Sequence, residues 1–174
     1  MKKKHRTNYY TDCHRGKYKI LHPEKYMEGL PEPEFKSEWE QKMFVVCDCN
    51  PFVIKWGYEP FTIAYHSPVY LKQSLYKPDI YLECRYADGH EEKYLIEVKP
   101  TAYSVIPTPP KPLAEGCMDQ RKIDSYNKRK AAYDRKCMDV MVNYAKWSAA
   151  EAWCKARNIN WFIANETNTL GLFK

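Results

Sequence analysis

Residues 78–99, PDIYLECRYADGHEEKYLIEVK, constrain this chain more than any other stretch. Two largely apolar runs flank an Asp-Gly pair, the pattern of a β-hairpin. A two-residue turn at Asp88-Gly89 sets Ile80 opposite Glu97 and mixes apolar with charged positions. A three-residue loop, Ala87-Asp88-Gly89, with Gly89 left-handed in a G1 bulge, sets Asp79 opposite Glu97 instead. Ile80, Leu82 and Cys84 then share a face with Tyr94, Ile96 and Val98. A one-residue slip sends every side chain to the other face, so the apolar match selects the three-residue loop. Asp79, Glu97 and Lys99 therefore converge on one face at one end of the hairpin. Buried charges are costly unless compensated. That face is either open to water or a site.

The remaining chain reads as helices and strands around this hairpin. Residues 1 to about 20 are polar, basic and rich in Tyr, the pattern of an extended arm. HPEKYMEGLPEPEFK carries three prolines and a glycine and reads as irregular. The boundaries are an arm with irregular segment over 1–36 and a folded domain over 37–174. SEWEQKMFVVCDCN reads as a helix, with Ser37 as N-cap and Asn50-Pro51 as the stop. FVIKWGYEPFTIAYHS reads as one or two strands punctuated by Gly57 and Pro60. TAYSVIPTPPKPLAEG, with prolines at 107, 109, 110 and 112, reads as a stiff surface loop. One helix is expected from 118 to about 143, a second over KWSAAEAWCKARN, and a closing strand at INWFIANE. Trp147 and Trp153 read as core.

The 174 residues suit one domain with a real core, and no apolar run is long enough to cross a membrane. The basic start, MKKKHRTNYY, lacks the apolar stretch of a signal peptide. Seven cysteines without a C-x-x-C spacing read as free thiols. The net charge of +6 is uneven. Residues 1–25 hold eight Lys or Arg against two acidic residues, and 121–136 hold seven against two. Such clusters suit a polyanion, and nucleic acid is the usual one. Lys2, Lys3, Lys4 and Arg6 in the arm, and Lys128 and Lys130 in the helix, are the candidate contacts. Tyr9, Tyr10 and Tyr18 are candidates for stacking on bases.

Asp79 and Glu97 form a carboxylate pair of the kind that holds Mg²⁺ with water and substrate phosphate. Lys99, about 7 Å further along the strand, can hold an attacking water or phosphate charge. Glu40 has two readings. It closes a capping box with Ser37, or it joins the metal site.

Pro78-Asp79 followed by Glu97-Val98-Lys99 resembles the PD-(D/E)xK motif of the restriction-endonuclease-like superfamily. HPEKYMEG, SEWEQKMFVVCDCNP, KPDIYL, YLIEVKP and VNYAKWSAAEAWCKARNINWFIANE together resemble the head completion nucleases of tailed myovirus-type phages. That resemblance implies an α/β domain with a mixed sheet flanked by helices, behind a basic N-terminal arm. It implies Asp79, Glu97 and Lys99 as catalytic residues, with Glu40 as a further catalytic and metal-binding carboxylate beside Asp79 and Glu97. The implied cofactor is Mg²⁺ or Mn²⁺. The implied partners are double-stranded DNA and portal, neck or head proteins, with no membrane. The implied place is the host cytoplasm during assembly, then the virion head or neck. Two other readings stay open: a head or neck protein that binds DNA without cutting, and a transposition or recombination endonuclease of the same fold. Where the family has Arg-Ser before the tryptophan, this chain has Lys36-Ser37.

Overall fold

A computed structural model describes residues 15–168. Lys2, Lys3, Lys4, Arg6, Tyr9 and Tyr10 lie outside the described residues. The central sheet has the order β3 (Val53–Tyr58), β6 (Ile80–Arg85), β7 (Glu91–Val98) and β8 (Asn160–Ala164). Its β7–β8 pair is parallel and the other pairs antiparallel, so the sheet is mixed, as the resemblance implies. Helix α1 (Glu38–Cys49) covers one face, and α2 (Gln120–Lys155) serves the other.

The hairpin register is the expected one. Ile80 pairs with Ile96 and Leu82 with Tyr94. The Tyr86 N–H donates to the His90 carbonyl (3.0 Å) and the Gly89 N–H to the Tyr86 carbonyl (2.9 Å). Gly89 has φ 87°, the left-handed backbone that the three-residue loop requires. Ile80, Leu82, Cys84, Ile96 and Val98 pack with Met43, Phe44 and Cys47 of α1. Tyr81 and Leu95 face the opposite way, onto Ala150 and Cys154 of α2.

Helix α1 starts where the Ser37 Oγ accepts the Glu40 N–H (3.2 Å). Its buried Asp48 accepts the Tyr18 hydroxyl (3.0 Å), the Leu21 N–H (2.7 Å) and the His22 N–H (3.1 Å). Tyr18 is thus a core residue and not a base-stacking one. Its ring meets Phe44 and Trp56 edge-on. The strand β1 (Gly16–Lys17) pairs with β2 (Glu34–Phe35), so the packed chain begins well before Ser37. A Cβ at Gly16 would lie 2.8 Å from the Phe35 ring, which explains the glycine.

One further expectation changes, and one element is new. Residues 120–155 form one uninterrupted helix of 36 residues rather than two. No Gly or Pro lies between Cys117 and Asn160, so nothing breaks the ladder at 143–146. The helix ends before Asn158, whose φ of 54° supplies the left-handed turn usually given to glycine. The stretch after Pro68 forms β5 (Lys72–Tyr76), paired with β4 (Ile63–Ser67) in a separate ribbon. Its polar exposed face hid it from an apolar pattern search. Trp147 is buried as expected, and Trp153 is half-buried against Phe61.

Candidate active site

The antiparallel register brings the start of β6 and the end of β7, the two central strands, together at one end of the sheet. A cleft of about 380 Å³ opens there. Asp79, Glu97, Lys99 and Glu40 all line it, and so do Lys36, Glu59, Tyr76, Lys77 and Lys146.

Two anchors hold Asp79. Its Oδ2 accepts the Val98 N–H (2.7 Å), and its carbonyl accepts the Glu59 N–H (2.9 Å). Glu59 takes a left-handed φ of 45°, costly for a residue with a Cβ and tolerated where the surroundings fix it. Glu97 is 5% exposed. Its Oε2 accepts the hydroxyl of buried Tyr76. Its Oε1 lies 3.6 Å from the Lys99 Nζ. Burial pushes the Tyr76 hydroxyl far up, and the adjacent Glu97 and Asp79 charges add to it. Tyr76 is therefore a permanent donor to Glu97.

Burial also raises the Asp79 carboxyl well above the usual carboxylate range, and Glu97 and Glu40 push it the same way. The Val98 N–H and Lys99 pull it back in part. Among the described residues, Asp79 Oδ1 takes no hydrogen bond. The donor set is thus two carboxylates at a cleft, and Lys99 is the one ammonium that pairs with either of them among the described residues. A hard divalent cation, which takes one or two carboxylates and completes its shell with water and phosphate, fits that set. Among the described residues no three His, Cys, Asp or Glu form a ready-made metal cage.

Glu40 reaches the cleft from the first turn of α1, yet its carboxylate works as a cap. Its Oε2 accepts the Lys36 N–H (2.7 Å) and its Oε1 the Ser37 hydroxyl (3.3 Å). The capping box therefore forms with the Lys36 amide in place of the Ser37 amide. Lys36 turns its ammonium to Glu59 (2.8 Å) and over the Tyr58 ring (5.7 Å).

Five cleft residues, Tyr76, Lys77, Glu59, Lys36 and Lys146, have no role assigned from the sequence. Tyr76 ends β5, three residues before Asp79, and was hidden with that strand. Glu59 precedes Pro60 in what looked like a plain turn. Lys36 was noted only as a departure from the family pattern. Lys146 sits mid-helix, its Nζ 5.6 Å from the Tyr76 ring centre. Lys128 and Lys130 lie away from the cleft on the exposed N-terminal half of α2, where Lys130 pairs with Asp134 (3.0 Å).

A carboxylate pair and a lysine at the ends of the two central strands of a mixed sheet, helices on both faces, define a PD-(D/E)xK-type nuclease domain. The chain belongs to the TnsA-like endonuclease N-terminal family, which matches residues 50–166 and so includes Asp79, Glu97 and Lys99. It is similar to the head completion nuclease of Enterobacteria phage T4, with 26% identity over 154 residues, 88% of this chain and 92% of that protein.

Proposed function

We propose that this protein is a Mg²⁺- or Mn²⁺-dependent DNA endonuclease of phage head completion. It acts on packaged DNA at the portal so that the head can receive its tail. The observation that carries the reading is the meeting of Asp79, Glu97 and Lys99 in one cleft, within a chain that aligns along nearly its whole length with a head completion nuclease. Asp79 and Glu97 would hold the cation, with Glu40 as a third carboxylate. When bound, the cation polarises the phosphodiester and makes hydroxide available near neutral pH. Val98 and Tyr76 fix the carboxylates beforehand, so they need not reorganise during the reaction. The Lys99 ammonium holds the attacking water or the charge growing on the phosphate. Lys36, Lys77 and Lys146 lower the cost of bringing a phosphate chain to an acidic centre.

The test is incubation with supercoiled plasmid, with and without Mg²⁺, comparing wild type with Asp79→Asn. Nicking by the wild type alone, and only with the metal, is expected. Wild-type rates from Asp79→Asn overturn the assignment. The family match also favours a second reading, cleavage at transposon ends. Alignment over 92% of the phage protein argues for head completion.

A further inference from the structure

A second cavity of about 360 Å³ lies beside the cleft, between the turn at Thr101–Tyr103 and the side of α2. Its wall on the loop side is Tyr103 and Val105. Its wall on the helix side is Val140, Arg135, Lys136 and Asp139. The loop is fastened rather than loose. Thr101 N–H donates to Glu166 (3.0 Å), Asn143 Nδ2 to the Tyr103 carbonyl (3.2 Å) and the Tyr144 hydroxyl to the Ser104 carbonyl (3.0 Å). Arg135 and Lys136, the end of the basic run at 121–136, form no ion pair among the described residues. Tyr103 is 42% exposed, and the Lys99 ammonium sits 5.9 Å from its ring centre. Tyr103 therefore lines this cavity on one side and neighbours Lys99 of the cleft on the other.

We infer that this cavity is a nucleotide subsite. It takes one unpaired nucleotide of the strand being cut, next to the scissile phosphate. The proposal rests on the nuclease reading and adds a substrate class to it: DNA with a frayed, flapped or single-stranded nucleotide beside the cut. The chemistry of the walls selects that occupant. The Tyr103 ring offers a stacking face that any base can use. Val105 and Val140 supply apolar contact. Arg135 and Lys136 match a backbone phosphate. Asp139 repels phosphate but accepts N–H groups, so it faces the base edge and favours bases with an exocyclic amine.

The test uses the full chain in EDTA, so that binding is read without cleavage. The probes are a duplex carrying one unpaired 2-aminopurine nucleotide and the same duplex with that nucleotide paired. The wild type should quench the unpaired probe and bind it more tightly than the paired one. Tyr103→Ala should abolish the quench and weaken binding by about fivefold or more. Tyr103→Phe should keep both, which separates loss of the ring from damage to the loop. Arg135→Ala with Lys136→Ala should lower the salt slope of binding by about 1 to 2. Quenching unchanged in Tyr103→Ala, or equal affinity for the two probes, overturns the subsite. Cleavage with Mg²⁺ is scored apart from this. A protein that quenches but never cuts leaves the subsite standing without the nuclease reading, and one that cuts but never quenches does the reverse.

Discussion

Glu40→Gln separates the two duties that meet at the start of α1. In the folded protein Glu40 accepts from the Lys36 N–H and the Ser37 hydroxyl. A glutamine carbonyl keeps the bond to Lys36, but its NH₂ cannot accept from Ser37. Turning a charged hydrogen bond into a neutral one costs about 1 kcal/mol. Losing a negative charge at the helix N-terminus costs about 0.3–1 kcal/mol more. Against this, Glu40 is one of the charges that hold the Asp79 proton, and removing it relieves that repulsion. The net loss is about 1 kcal/mol, which lowers Tm by about 2–4 °C in a domain of this size. Glu40→Ala removes the carboxylate half of the capping box, leaves the Ser37 Oγ on the residue-40 N–H, and should cost about 1–2 kcal/mol. The effect on the metal is larger. Loss of a carboxylate that holds or supports a cation typically weakens metal binding about 10–100-fold. The assay is a thermal melt paired with a Mg²⁺ titration of plasmid nicking. A small drop in Tm with a midpoint shifted at least about tenfold is expected. Wild-type nicking at an unchanged Mg²⁺ midpoint would leave Glu40 as a cap and nothing more.

Three further outcomes can be measured. In EDTA the wild type should lose stability as pH rises from the ordinary carboxylate range through the raised Asp79 value, because in that window the folded form holds a proton that the unfolded form has released. Asp79→Asn should lack this slope, and equal slopes in urea titrations across pH would show that the burial of Asp79 does not cause it. Tyr76→Phe removes the donor to Glu97 and should cost about 1–3 kcal/mol together with much of the nicking rate; a wild-type melt and rate would show that Glu97 needs no such support. Deleting residues 1–14 should weaken DNA binding and flatten its salt dependence while sparing Tyr18 and the core; an unchanged slope would assign the arm to a protein surface.

Much of the site was legible because strands alternate. One register satisfied Ile80, Leu82, Cys84, Tyr94, Ile96 and Val98 together, and that register carried Asp79 to Glu97. Ser37 and Asn50-Pro51 marked α1 because caps have local chemistry. What failed was non-local. Tyr18 stands among basic residues, and only the buried Asp48, thirty positions away, makes it core. Tyr76, Glu59 and Lys146 enter the cleft from three different elements, and no spacing links them to Asp79. The division of α2 near residue 143 has no stop signal behind it, and a helix ends only where the backbone is stopped.

The continuity of α2 bears on how the nuclease reading works in space. Its C-terminal half packs on the sheet through Ala150 and Cys154, while nothing from 120 to 139 is buried. The free half carries the basic run, including Lys128, Lys130, Arg135 and Lys136. A break at 143 would let that half swing. Without a break, its charges keep a fixed distance from the cleft. From Lys130 to Lys146 the rise is about 24 Å at 1.5 Å per residue. A duplex that touches Lys130 and enters the cleft beside Lys146 therefore spans about seven base pairs at 3.4 Å each. On the nuclease reading, the helix would set how far from the cut the protein grips, without a base-specific contact. The helix wall of the Tyr103 cavity, Arg135 to Val140, falls between Lys130 and Lys146, so the proposed nucleotide subsite would lie between grip and cut.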